Sequence, residues 1–286
     1  MNKTLTNSEL DHLLNFIGYG RLDADIWFLG FEELGGTPNG LYPRVQFQQV
    51  EDSSEAQKIL QISSEEFGQN NLQGAWRSIC TIMLKLEGKV ISDDNIRNYF
   101  LNQLGRINGS TLLCEFLPIP KPVSNWDFET IIPQYPTEEA YYSEINKLRV
   151  PFFRELIEQN LPKIIICYGK SAWPVYQNML NDFTLSEKDS FMLGWDANTV
   201  VILCDDFSAP EMSEKFDEMV ALILENSLSI DIAKPSGPIP LSKAELSRQK
   251  KEAARKASAA KRKPSAKHNA SDPFCVCVYC LGYENE

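Results

Sequence analysis

KIIICYGKSAW, residues 163–173, is an apolar run that stops on a glycine and hands over to a helix-forming segment. Ile164 to Cys167 are apolar at every position. So are Val200 to Leu203 within TVVILCDD, residues 199–206. A strand with one wet face alternates apolar and polar residues, whereas a strand apolar throughout is covered on both faces, as in a parallel sheet. Two further runs have this character: Asp25–Leu29 in DADIWFLGFEELGG (23–36) and Thr111–Phe116 in STLLCEFLPIPKP (110–122), the latter broken by prolines.

Helical patterns separate the four runs. TNSELDHLLNFIGYG (6–20) offers Thr6 or Asn7 as a cap and an apolar face of Leu10, Leu13, Leu14 and Ile17. LQGAWRSICTIMLKLEG (72–88) predicts a second helix ending at Gly88. Residues 138–162 predict a long one in which Pro151 marks a kink or break. KSAWPVYQNML (170–180) and SEKFDEMVALILENS (213–227) complete the alternation. The pattern predicts an α/β domain over residues 1–232, a three-layer sandwich around a central, mostly parallel four-stranded sheet.

Composition supports this reading. The chain has 286 residues, 43% of them apolar, which is ordinary for a globular protein. No apolar run is long enough to span a bilayer, so no membrane partner is expected. MNKTLTNSELDHLL lacks a signal-peptide layout, and the expected compartment is the cytoplasm. Cys80, Cys114, Cys167 and Cys204 lie singly in apolar stretches, as small buried hydrophobes do.

Charge is divided unevenly. Residues 1–232 carry a balance of −17, residues 233–273 a balance of +8, and the last 13 residues −2. Residues 233–273 are rich in Lys, Ala, Ser and Pro, have almost no large apolar side chains, and read as a disordered basic tail. Lys250, Lys251, Arg255, Lys256, Lys261, Arg262 and Lys263 are its candidate DNA-binding cations, able to release counterions without reading sequence. A solubilising linker is the alternative. The segment 274–286 holds Cys275, Cys277 and Cys280. With His268 they number four potential Zn²⁺ ligands, but the second well-separated pair of a zinc site is missing. An apolar plug or an oligomer contact is the other reading.

In a parallel sheet, ligands sit beyond the carboxyl ends of the strands. The first run delivers Gly30, Phe31, Glu32 and Glu33, and the second Glu115 and Phe116. The third delivers Gly169, Lys170 and Ser171, at a helix start suited to anions. The fourth delivers Asp205, Asp206, Phe207 and Ser208. Carboxylates thus recur at three of four strand ends, where surface capping is the plainer explanation for any one of them.

The order of these patches resembles the uracil-DNA glycosylase superfamily. GFEELGG stands where that family has a Gly-x-Asp, Gly-x-Asn or Gly-Glu-Ala-Pro-Gly motif. TLLCEF resembles its apolar run before Asn, IIICYGKSAW its third motif, and DDFSAP the place of His-Pro-Ser. The family's His is absent, with Asp206 in its place, and the Asn position is Glu115. The resemblance implies a glycosylase that flips a base out of the duplex and hydrolyses its N-glycosidic bond without a cofactor, leaving an abasic site in DNA. On that reading Glu32 stabilises the cationic sugar and orients or deprotonates water. Asp206 protonates the departing base only if its surroundings keep it protonated, and Lys170, Ser208 or backbone N–H groups are other candidates. Glu115 reads the base edge. An ionised carboxylate accepts hydrogen bonds only, which favours a cytosine-type or modified-cytosine base, a substrate class with precedent among anti-phage members. Phe31, Phe116 and Phe207 flank the edge, as stacking groups or as core. Asn39–Tyr42 occupies the loop that shapes the base pocket in related enzymes, and Tyr42 is its candidate contact.

Two other classes stay open. Glu32, Glu33, Glu115, Asp205 and Asp206 suit Mg²⁺ or Mn²⁺, and paired metals suit phosphodiester cleavage. An acidic body that binds a basic protein needs no catalysis.

Overall fold

The computed structural model describes residues 4–62, 74–122 and 131–226. The chain divides into two units, Met1–Ala233 and Lys234–Glu286, and the described residues belong to the first. The basic tail with Lys250, Lys251, Arg255, Lys256, Lys261, Arg262 and Lys263, and the His268, Cys275, Cys277 and Cys280 group, lie outside the described residues.

The expected four-stranded sheet is an eight-stranded one. Its strands are β1 (Gly18–Gly20), β2 (Ile26–Gly36), β3 (Val50–Glu51), β4 (Thr111–Pro122), β5 (Ile164–Tyr168), β6 (Ser186–Lys188), β7 (Phe191–Trp195) and β8 (Val200–Cys204). They lie in the order β3-β1-β4-β2-β5-β8-β7-β6. The four apolar runs form the middle, β4-β2-β5-β8, and every pair among them is parallel. The four additional strands flank them. β1 runs antiparallel to β4, β7 antiparallel to β8, and β6 antiparallel to β7, while β3 is parallel to β1.

The helices are α1 (Asn7–Leu14), α2 (Pro38–Leu41), α3 (Ser53–Ile59), α4 (Ala75–Leu86), α5 (Asp93–Asn102), α6 (Glu138–Asn160), α7 (Trp173–Met179) and α8 (Phe216–Asn226). Thr6 caps α1 in a capping box with Glu9. Pro151 lies inside α6 without ending it. Successive residues of a strand point to opposite faces, and the two larger apolar clusters follow that alternation. Trp27, Leu29, Ile165, Cys167, Val201 and Leu203 pack with α1, α6 and α7. Ile26, Phe28, Ile164, Ile166, Val200 and Ile202 pack with α4, α5 and α8. Cys80, Cys114, Cys167 and Cys204 are free thiols buried in these clusters, as expected.

Two strands outrun their sequence reading. β2 continues past Gly30 to Gly36, and β4 continues through Pro118 and Pro120 to Pro122. Alternate prolines lose their N–H donors on one side of a strand only, so pairing on the other side survives. The β2–β4 register slips twice there, between Glu32 and Leu34 and between Leu34 and Gly36. β5, in contrast, pairs with β2 only from Ile26 to Leu29 and then turns away at Gly169, whose φ of +100° favours glycine. Beyond Leu29 the strand β2 therefore has one paired side. The chain visits β4 on one side of β2 and later β5 on the other, so this divergence is the topological switch point.

Candidate functional site at the carboxyl edge

Gly30 sits opposite Glu115 in the β2–β4 register, and Tyr168 ends β5 beside them. A Cβ on Gly30 would lie 2.3 Å from Glu115 Oε2 and 2.5 Å from Tyr168 Oη. The glycine is thus required by two side chains that close over its Cα. This accounts for a strand core that reaches glycine just before two glutamates.

Glu32 and Glu33 each meet a cation. Glu32 Oε1 lies 3.5 Å from Lys121 Nζ, near the end of β4, and Glu32 Oε2 accepts a hydrogen bond of 3.0 Å from Tyr142 Oη on α6. Tyr142 Oη also meets Glu138 at the first turn of the same helix. Burial holds the Glu32 carboxyl above the ordinary carboxylate range, against the opposing pull of Lys121 and Tyr142. Glu33 Oε1 lies 2.6 Å from Arg44 Nη2, and both side chains are largely buried. Arg44 Nη1 donates to Tyr19 Oη at 3.1 Å, and its guanidinium lies 5.6 Å from the Phe47 ring centroid. The Glu33–Arg44 pair ties the segment after α2, which carries Tyr42, to the end of β2.

Glu115 differs from both. Its Oε1 accepts 3.0 Å from Tyr168 Oη, while its Oε2 is sealed and has no hydrogen-bond partner among the described residues. Burial, with the Glu33 carboxylate the next cause, pushes its pKa up to about 8. Where the sequence suggested an ionised, accept-only Glu115, its burial and the neighbouring carboxylates favour the protonated form, and no cation pairs with it among the described residues. The backbone beneath it is fixed by Arg149 of α6, which is 3% exposed. Arg149 donates from Nη2 to Glu115 O and from Nε to Phe116 O, both at 2.9 Å, and from Nη1 to Leu14 O at 3.2 Å.

The aromatic groups are mostly core. Phe116 is 0% exposed, between Phe31, stacked at 6.0 Å, and Phe153, also at 6.0 Å. Phe207 is 3% exposed and stacks on Tyr168 at 4.6 Å. Phe31 is partly exposed. Gly169 precedes a short 3-10 turn, Lys170–Ala172, in which Lys170 and Ser171 are exposed. Lys170 Nζ lies 5.5 Å from the Trp173 ring centroid. Asp206 is exposed, and its Oδ1 accepts from Ser208 N at 2.7 Å and Ser208 Oγ at 2.6 Å, while Asp205 Oδ1 accepts from Asp206 N. Among the described residues, no three His, Cys, Asp or Glu side chains converge as metal ligands.

Sequence reading missed Tyr142, Tyr168, Lys121 and Arg44. Tyr168 carried a legible signal, as a hydroxyl-bearing aromatic at the carboxyl end of an otherwise aliphatic strand. Tyr142 and Lys121 reach the site through contacts distant in sequence, Tyr142 being 110 residues from Glu32, and Arg44 reaches Glu33 across the 11 residues that include α2. Compared with known protein families, curated proteins and solved structures, the chain matches none of them.

Proposed function

We propose that the carboxyl edge of β2, β4 and β5 is the active site of a DNA glycosylase-like enzyme, which hydrolyses the N-glycosidic bond of a flipped, cytosine-type base. The observation that carries this reading is the placement of Glu32. Its carboxylate stands at the switch point, where β2 has lost one neighbour, and it is oriented by Tyr142 and Lys121. Such a group stabilises positive charge developing on a sugar and takes a proton from attacking water. The basic tail, with its balance of +8, supplies the attraction to DNA that a body of −17 lacks.

The metal-dependent nuclease reading has less support. The five carboxylates are partitioned: Glu32 faces Lys121, Glu33 faces Arg44, and Asp206 is bound into a turn with Ser208. A two-metal clamp needs carboxylates that share ions rather than separate cationic partners.

The test is a panel of single-stranded and duplex oligonucleotides carrying cytosine, hydroxymethylcytosine, glucosylated hydroxymethylcytosine or uracil. Each is incubated with EDTA or with Mg²⁺ and then treated with alkali. The account expects alkali-dependent breaks that survive EDTA and disappear with Glu32→Gln. Direct breaks that require Mg²⁺ would replace it with the nuclease reading, and no breaks under any condition would leave a binding module.

A further inference from the structure

Three carboxyl groups meet at this edge, and two cations serve them. Lys121 is paired with Glu32 and Arg44 with Glu33. Arg149 comes close to Glu115 but spends its donors on backbone carbonyls, not on the carboxylate. Among the described residues the Glu115 side chain has a single donor, the neutral Tyr168 hydroxyl. An ionised carboxylate here, half-buried, would have one neutral hydrogen bond and one sealed oxygen with nothing to offset its charge. The titratable groups around it are Glu32 and Glu33 on β2, Tyr19 on β1, Cys114 beside it on β4, Tyr168 on β5, Tyr176 on α7 and Asp206 after β8. They are carboxyl, hydroxyl and thiol groups, and none of them is a cation.

Resting on the glycosylase reading above, we propose that Glu115 is the proton donor of this site, protonating ring N3 of a cytosine-type base as the base departs. The step balances. The C1′–N1 bond breaks with its electron pair passing to the base. The Glu115 proton moves to N3, an unprotonated ring nitrogen in cytosine but an N–H in uracil. The base leaves neutral, in a tautomer that relaxes in water. A water oxygen bonds to C1′, and its proton goes to Glu32. Glu115 ends ionised and Glu32 protonated, and exchange with solvent restores both. The torsion at the end of a glutamate side chain is broad and roughly two-fold, so a half-turn exchanges the two oxygens and carries the one sealed over Gly30 to the position beside the Tyr168 hydroxyl, where the proposal places the base. Selection for cytosine then follows from which ring nitrogen can accept a proton, and not from an accept-only carboxylate. Carboxyl groups whose surroundings push their proton affinities to different values divide acid and base roles in this way.

The test combines a titration with a rate profile on the full chain. With ¹³C-labelled glutamate, the Glu115 side-chain carbon is assigned by its loss in Glu115→Gln, and its titration midpoint is expected at about 8. Single-turnover base release should fall on the alkaline side with the same midpoint, and Glu115→Gln should lower it about 10²-fold or more at pH 7. Tyr168→Phe removes the hydrogen bond that favours the ionised form, so carbon midpoint and rate limb should both move to higher pH. This second variant keeps the test valid if Glu115→Gln folds poorly. A Glu115 midpoint in the ordinary carboxylate range would overturn the proposal, as would a rate limb that does not follow the carbon midpoint. Base release from no substrate at all, with the raised midpoint present, would instead refute the glycosylase reading on which the proposal rests.

Discussion

Glu115 and Asp206 leave the same edge of one sheet, from β4 and just after β8, into opposite surroundings. Glu115 is packed over Gly30, has one oxygen sealed and unpartnered, and is held by a backbone that a buried arginine clamps. Asp206 is exposed and accepts both Ser208 donors in a local turn. In sequence the two look alike, each an acidic residue at the carboxyl end of an apolar run. Their difference teaches that a strand end delivers a carboxylate, but burial and the supply of cations decide its chemistry. A turn aspartate satisfied by its neighbours needs nothing from a ligand. A neutral, crowded glutamate has a proton to give.

The contrast can be broken from the largest effect downward. Arg149→Met deletes the donors to two carbonyls in the middle of β4 and to the last carbonyl of α1, in a site too buried for water to replace them. It should cost about 3 kcal/mol or more in denaturant unfolding, and an unchanged midpoint would show that β4 does not depend on the clamp. Gly30→Ala drives a methyl into Glu115 and Tyr168 and should cost ~2 kcal/mol, with the Glu115 titration displaced as well. A neutral effect would mean that the crowding over Gly30 relaxes freely.

The pH dependence of stability comes next. Glu115 binds its proton more tightly folded than unfolded, so between the ordinary carboxylate range and about pH 8 the unfolded chain has the fewer protons. Stability conferred by the neutral acid is therefore full at low pH and is lost as pH rises through that window. The slope is at most about 1.4 kcal/mol per pH unit. Urea unfolding at successive pH values should show this loss in the wild type and its absence in Glu115→Gln. The smallest effect belongs to Asp206→Asn, an exposed change expected to stay within ~0.5 kcal/mol and to leave that pH curve in place. A large loss there would show that Asp206 depends on its surroundings as Glu115 does, and would erase the contrast.

Much of the fold was legible because burial on both faces leaves an unbroken apolar run. Ile164–Cys167, Val200–Leu203 and the cores of β2 and β4 announced the parallel centre of the sheet, and Thr6 announced the start of α1. The flanking strands were silent. Gly18–Gly20 is two-thirds glycine, and Ser186–Lys188 is exposed at every position, so neither has the apolar alternation that marks a strand. The length of β2 was hidden for another reason: beyond Gly30 it is held by β4 alone and carries glutamates and glycines, which do not resemble strand sequence. At the site, local spacing exposed Gly30, Glu32 and Glu115. Which carboxylate has a cation was invisible, since Lys121 and Arg44 reach β2 only through the folded sheet and the loop after α2.

The most direct test of the account compares three variants in one assay: free base released from a cytosine-containing oligonucleotide, with any modification the panel shows to be preferred, followed by mass spectrometry in EDTA. If the buried carboxyls perform the chemistry, Glu32→Gln and Glu115→Gln each lose about 10²-fold or more, while Asp206→Asn stays within about threefold of wild type. Loss of release in Asp206→Asn, with Glu32→Gln and Glu115→Gln close to wild type, would contradict the account and move the chemistry to the exposed end of β8.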